Sequence, residues 1–398
     1  MNTVDAILAW HRGRNPRLLA LKWAKIRESP FAFFRGTAPL FYEAWARLKP
    51  PAAPLVWICG DAHLENVGSY KGGNRVPYFD LNDFDEACLA PAHGDIGRAL
   101  TGLYLLDEPA LARRFLAAYR ARLLTGKPQH IEPEVAHGVI ATLLGNVQAR
   151  RRKEFLASRL VRGKLRIREG RTFALDAATK KRVRRIFQAW ARRRPDPRFY
   201  RIKDICGRIA GNGSLGVERF VVLVQGRKLP VLMDMKQAVP SAPQQWVGVR
   251  PPRWANEAER VATVQNFMQY VPVAHLGWTR TSPVAYLIRE LQPIEDRIDR
   301  GMLTAADYGD FVEQWAGLIA SAHLRSGGWK GSAPIEVLMG YARTLTGSNV
   351  RRLLAAARRA ALRQKRHFLE FRRHAAEGQR FEIRDGVSTA AGSGPAKP

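Results

Sequence analysis

Cysteine is scarce in this 398-residue chain: Cys59, Cys88 and Cys206 stand far apart, with no CxxC spacing. That excludes a disulfide framework and a cysteine-rich zinc site. No apolar run reaches the about 18 residues of a membrane-spanning helix. Charges also break the apolar stretches of the opening MNTVDAILAWHRGRNPRLLALKW before a signal-peptide core forms. A cytoplasmic location is therefore expected. Acidic residues are few beside basic ones, 35 against 65, leaving a formal charge of +30 and a pI near 10.9. Such a field favours polyanionic partners or anionic substrates and says nothing about fold. Neither HExxH nor GxxxxGK[ST] occurs.

What is present suits a folded protein. With 46% hydrophobic and 25% charged residues, the chain can form one large domain or two modest ones. Residues 5–50 read as helical, and Phe31, Phe33, Phe34, Phe41, Tyr42 and Trp45 read as a packed face. Arg35 precedes Gly36 there and suits either a buried ion pair or a phosphate or carboxylate contact. Leu55–Ile58 and Val76–Leu81 read as short strands joined by a turn at Gly72, Gly73 and Asn74. Helical spacing follows from about 95 to 160. Strand periodicity returns over 205–239, where Val221–Val224 and Val231–Met235 predict antiparallel neighbours turning near Gly226. A helix with NEAERV, a strand near 285–291 and two further helices complete an α+β pattern.

The densest polar run is GDAHLEN followed by NDFDEA. Phosphoryl transfer needs a carboxylate to orient the acceptor, a carboxylate for magnesium and often a neutral oxygen ligand. Asp61 suits the first task, Asp83 the second and Asn66 the third, with His63 and Asp85 in support. Taken singly, Asp61 and Asp83 would cap turns and His63 would pack. Glu65 and Glu86 read as structural. A metal-dependent hydrolase built on Asp61, His63, Asp83, Asp85 and His93 is the competing chemistry.

GRIAGNGSLG places Gly211, Gly213 and Gly216 before a strand pair, so backbone amides can approach phosphates. Lys236 follows in MDMKQA with apolar flanks, where an inward ammonium would touch nucleotide phosphates. Glu257 on the next helix is expected to hold that lysine by an ion pair, in preference to Glu259. His275 and His323 read as local hydrogen-bonding residues.

SPFAFFRG, CGDAHLENVG, FDLNDFDEA and the later GSLG, MKQA and NEAERV resemble a bacterial family labelled domain of unknown function 2252, over roughly 20–330. More distantly, GDAHLEN and DFDEA resemble loops of aminoglycoside phosphotransferases, choline kinases and protein-kinase-like enzymes. That resemblance implies ATP and Mg2+ as cofactors and a hydroxylated small molecule as acceptor. It gives Asp61 the catalytic role, Asn66 and Asp83 the metal-ligand roles, and Lys236 with Glu257 the nucleotide roles. Those enzymes place the glycine loop and lysine before the catalytic loop, whereas Asp61 and Asp83 precede Gly213 and Lys236 here. Either the two-lobed fold is circularly permuted, or the lobes divide differently. The permuted arrangement gives a mainly helical lobe over 1–200, a sheet-containing nucleotide lobe over 201–292, a helical segment over 293–375 and a flexible tail over 376–398.

The interval 150–204 holds 21 Lys or Arg against 5 acidic residues, over half the excess charge. It suits a solvated helix face, nucleic-acid contact without catalysis, or steering of another anion or an acidic membrane surface.

Overall fold

The computed structural model describes residues 2–376 apart from 212, 281 and 282. From 377 onward the expected tail lies outside the described residues. Short polar side chains start the first three helices, α1 (Thr3–Trp10), α2 (Pro16–Ile26) and α3 (Pro30–Gly36). Asn2, Asn15 and Ser29 each accept a first-turn backbone N–H. Helix α4 (Ala38–Arg47) follows directly. As the aromatic spacing predicts, Phe31, Phe34, Phe41, Tyr42 and Trp45 are buried in the largest core. Phe33 turns instead toward Phe368 and Phe371 of the last helix.

Four strands come next: β1 (Leu55–Ile58), β2 (Val67–Lys71), β3 (Pro77–Leu81) and β4 (Cys88–Pro91). The expected pairing of Leu55–Ile58 with the strand ending at Leu81 does not form. A tight turn at Gly72–Asn74 closes only on the residues flanking it, so β2 pairs with β3, while β1 pairs with β4. Both pairs are antiparallel, and they leave the Asp61–Asn66 and Asn82–Ala87 loops side by side. Three helices then form, α5 (His93–Leu105), α6 (Pro109–Leu124) and α7 (Gly138–Gln148).

The basic interval is not one helix. It comprises α8 (Arg152–Ala157), a small hairpin of β5 (Leu160–Val161) and β6 (Lys164–Leu165), then β7 (Thr172–Phe173) and α9 (Ala177–Ala191). Beyond it run β8 (Ile202–Arg208), β9 (Arg219–Val224), β10 (Val231–Gln237), α10 (Glu257–Met268), β11 (Gly277–Trp278) and β12 (Tyr286–Leu291). The larger sheet is antiparallel in the order β11-β12-β10-β9-β8-β7. The β9–β10 pair turns near Gly226, whose φ of 66° suits glycine.

Alternation splits this sheet into two unlike faces. On one, Phe220, Val222, Met233, Met235 and Ile288 pack against the α9 stripe of Val183, Ile186, Phe187 and Trp190. Helix α9 and strand β7 therefore pack with the sheet, although both lie within the 1–200 segment. The other face carries Lys236 and Asp234 on β10, with Arg219 opposite the lysine and Arg289 opposite the aspartate. The chain ends in α11 (Ala305–Arg325), α12 (Ile335–Thr344) and α13 (Gly347–Ala376), which pack with α5 and α6 in the main core. Among the described residues no helix is long and apolar enough to cross a membrane.

Candidate functional site

Between the charged sheet face and the loops after β1 and β3 lies a cleft of about 540 Å³. Asp61, His63, Asn66, Asp83, Asp85, Gly211, Gly213, Lys236 and Arg35 all line it. Residues far apart in sequence thus share one space, and each is held there by identifiable contacts.

Asp61 is aimed by its neighbours. Strand β1 stops at Ile58, and Gly60 turns the chain with φ 75°. Buried Asp95 on α5 accepts the N–H of Cys59 at 2.9 Å and of Gly60 at 3.0 Å, fixing the corner. His323 on α11 lies 3.2 Å from the same carboxylate and 2.8 Å from the Tyr119 hydroxyl. One helical turn beyond Asp95, fully buried Arg98 grips Asp61 Oδ1 through Nε and Nη2 at 2.8 and 2.7 Å. Burial opposes ionisation of Asp61, but His63 and Arg98 outweigh it and hold the carboxyl well below the usual range. His63 accepts the Glu65 N–H on Nδ1, so its ring proton sits on Nε2, 3.3 Å from Asp61 Oδ2. Burial holds this imidazole below its ordinary pKa. Asp61 is thus a fixed acceptor, weak as a base and strong as an orienting group.

Asn66 stitches the two loops together. Its Nδ2 donates to the carbonyls of Asp61 and Asp83, both at 3.0 Å, and Oδ1 accepts the Asp83 N–H at 2.8 Å. One lone pair of Oδ1 is left over. Asp83 is half exposed to the cleft, and its carboxylate lies 3.3 Å from Lys236 Nζ. Lys236 also pairs with Asp85. The twin carboxylates take opposite shifts. For Asp83, burial is outweighed by Lys236, so its pKa falls; for Asp85, burial and the charge of Asp83 win, so its pKa rises. Magnesium accepts one or two carboxylates together with substrate phosphates. Asp83, its neighbour Asp85 and the spare lone pair of Asn66 are the residues that could hold such an ion, although both carboxylates pair with Lys236 in this structure.

Glu257 is a correction. It pairs with Arg260 one turn along α10, at 2.6 Å, and is not among the cleft residues. Lys236 satisfies its charge on Asp83 and Asp85 instead. Arg260 donates to the carbonyls of Asp85, Ala87 and Val239. Glu257 therefore acts on the Asp83 loop through this arginine. Glu259 receives the N–H of Ala255.

The glycine loop joins β8 to β9 above the cleft. Buried Lys22 donates to the Gly213 carbonyl at 2.8 Å, and the Asn15 N–H donates to Gly216 at 2.9 Å. Gly211 and Gly216 have φ of 80° and 96°. Gly216 faces Arg14 and Leu19 and does not line the cleft, so its expected phosphate role passes to Gly211 and Gly213. Beneath the loop, Asp234 accepts both fork nitrogens of Arg219 at 2.9 and 2.6 Å and pairs with Arg208. Burial opposes its charge, yet these arginines hold it far below the ordinary range.

At the cleft mouth, Arg35 pairs with Glu65 at 2.5 Å, and Arg297 approaches the same carboxylate at 3.6 Å. Glu86 accepts the Ala242 N–H at 2.5 Å. Burial, with Asp61 and Asp85 nearby, pushes it up to about 7. His93 stands apart, accepting from the Trp45 indole at 3.1 Å. Among the described residues no three His, Cys, Asp or Glu side chains converge as a metal-holding group.

Sequence reasoning missed Asp95, Arg98, Lys22 and the arginines around Asp234, and it read His323 as a local hydrogen-bonding residue, whereas its partners Asp95 and Tyr119 are on other helices. The i, i+3 spacing of Asp95 and Arg98 in HGDIGR was the available signal, because it puts both on one helical face. The family model described as uncharacterized protein conserved in bacteria (DUF2252) matches residues 14–374. No curated protein and no solved structure matches the chain.

Proposed function

The chain belongs to this bacterial family, and we propose that it is an ATP- and magnesium-dependent phosphotransferase acting on a hydroxyl of a small molecule. The approach of Lys236 Nζ to Asp83, 3.3 Å, inside the cleft that Asp61 lines, carries this reading. In protein kinases a glycine-rich loop covers the phosphates, a strand lysine contacts them, and an aspartate and an asparagine hold the metal. Here Gly211 and Gly213 overhang the cleft, Lys236 projects into it, and Asp83 and Asn66 flank it. These features also support a protein-kinase-like, two-lobed fold read in circularly permuted order, with Asp61 and Asp83 preceding Gly211 and Lys236.

Lys236 would turn from Asp83 to the phosphates as nucleotide enters, releasing that carboxylate. Asp83 and Asn66 would hold magnesium, with Asp85 beside them. Bound there, the ion neutralises phosphate charge. Asp61, fixed by Arg98 and His63, would align the acceptor hydroxyl. The acceptor oxygen would bond the terminal phosphorus as the bond between that phosphorus and the ADP oxygen breaks, and the hydroxyl proton would leave by way of Asp61 to solvent.

Phosphorus NMR of magnesium ATP incubated with a pool of hydroxylated small molecules tests the reading. ADP and a new phosphomonoester are expected. Pyrophosphate with AMP-linked product would mean nucleotidyl transfer, and no Asp61-dependent turnover would overturn the proposal.

A further inference from the structure

The basic interval contains a second concavity that phosphoryl transfer does not use. A pocket of about 250 Å³ opens between the β5–β6 hairpin, the turn into β7, and the sheet. Arg159, Arg166, Arg168 and Arg171 rim it, and Arg208 forms its border with the main cleft. Its floor is apolar: Leu165, Val221, Leu232 and Leu291.

The local sequence builds this rim. In RIREGRT, Gly170 takes φ 69°, and the Thr172 N–H donates to the Arg168 carbonyl at 2.8 Å, closing a turn. Thr172 Oγ1 accepts the Arg168 N–H at 2.8 Å and donates to the Arg166 carbonyl at 2.9 Å. The Ile209 N–H then ties Arg171 to the end of β8 at 2.8 Å. Backbone bonds thus hold Arg166, Arg168 and Arg171 around one opening.

Charge makes the arrangement unusual. Among the described residues, no carboxylate lies within ion-pair distance of Arg159, Arg166, Arg168 or Arg171. Asp204 nearby is taken by Lys180 at 2.7 Å, and Glu295, which lines the main cleft, acts on Arg159 and Arg208 only through its charge, from beyond ion-pair distance. Arg159 stacks on Phe155, with its guanidinium 3.8 Å from the ring centre. Burial, then the like charges of Arg208, Arg168 and Arg171, lower its pKa. A solvated surface would spread such charges apart, whereas this turn gathers them over a hydrophobic floor. Guanidinium forks match phosphate oxygens, and an apolar floor suits a flat or hydrocarbon body.

We propose that this pocket is a second anion site, taking a small phosphorylated compound whose phosphate meets Arg166, Arg168 and Arg171. The site stands independently of the transferase reading. Its shared wall at Arg208 and Ala210 puts a ligand there beside the root of the glycine loop.

Calorimetric titration with inorganic pyrophosphate and with AMP, in magnesium-free buffer, tests it. Lys236→Met is the background that weakens phosphate binding in the main cleft. In that background a saturable 1:1 event is expected, and adding Arg166→Ser/Arg171→Ser weakens it at least about tenfold. Both arginines are exposed and have no side-chain partner among the described residues, so folding is retained. The charge-matched control Arg351→Ser/Arg352→Ser, on the exposed side of α13, leaves affinity within about threefold. Equal binding of both probes identifies a phosphate chain as sufficient, and preference for AMP identifies the floor as a base platform; either supports the site. Equal loss in rim and control variants overturns it, as does RNA binding without either small probe. Should Lys236→Met fail to fold, a wild-type crystal soaked in pyrophosphate must show the anion between Arg168 and Arg171; an empty pocket there overturns the site.

Discussion

Lys236 and Asp83 lie 153 residues apart in the chain and 3.3 Å apart in the fold. Neither β10 nor the loop after β3 would hold such a charge in place alone. The pair joins the sheet to the loops that carry Asp61 and Asn66. In the proposed chemistry it is a contact that nucleotide must exchange: the ammonium moves to phosphate, and the carboxylate becomes free for metal.

Replacing Lys236 with methionine should weaken magnesium ATP binding at least about tenfold, the loss of one charge-assisted phosphate contact. Lys236→Arg should restore stability more than affinity, because a planar fork does not reproduce a point charge. Calorimetry and urea unfolding of both variants give the comparison; unchanged ATP affinity in the methionine variant would remove the lysine from the site.

Asp61→Asn should lower turnover by about 10²–10⁴ while changing nucleotide affinity less than about threefold. It should also cost about 3 kcal/mol of stability, since Arg98 is fully buried and loses its charged partner. Steady-state kinetics with denaturant titration separates the two effects.

The acidic groups set a pH signature with two opposite parts. Asp61 and Asp234 are depressed, so the stability they supply is complete above their unfolded pKa, near about 4, and is lost as pH falls below it. Glu86 is raised to about 7, so ionisation favours the unfolded chain, and stability declines as pH rises through roughly 4.5 to 7. Glu86→Gln should remove that decline and stabilise the protein at pH 8 by at most about 3 kcal/mol. Urea midpoints measured from pH 4 to 8 check both the sign and the window.

Gly60→Ala should disable the site from beneath. The glycine has φ 75°, and an added Cβ would stand 2.1 Å from the Glu86 carbonyl oxygen. Backbone must shift on one side or the other, at a cost above about 3 kcal/mol. Poor soluble yield, or a folded variant that has lost turnover, is the expected outcome; wild-type stability and activity would mean the corner is softer than its geometry indicates.

The site's loops were legible because short polar runs sit inside apolar strands, and only an interior edge rewards that pattern. Asp61, Asn66, Asp83 and Lys236 do line one cleft. The β9–β10 hairpin was equally plain from its periodicity and Gly226. What failed depended on choices among near-equal partners. Lys236 had three carboxylates to choose from, and the register of α10 gives Glu257 to Arg260. Gly216 looked like its two neighbours until the N-terminal helices covered it. Arg98, Asp95 and His323 sit in apolar helices, and the partners that fix Asp61 and its corner lie 35 to 228 residues away, beyond any local pattern. The basic interval read as a face because composition counts charges without their directions. The turn at Gly170 gathers several of them around one opening.

Magnesium dependence of ATP binding, titrated calorimetrically for wild type and Asp83→Asn, tests the central claim most directly. Wild-type affinity should rise at least about tenfold when magnesium is added, and Asp83→Asn should lose that increment while keeping its magnesium-free affinity. Equal affinities with and without magnesium, or an Asp83→Asn variant that responds as wild type does, would contradict the account.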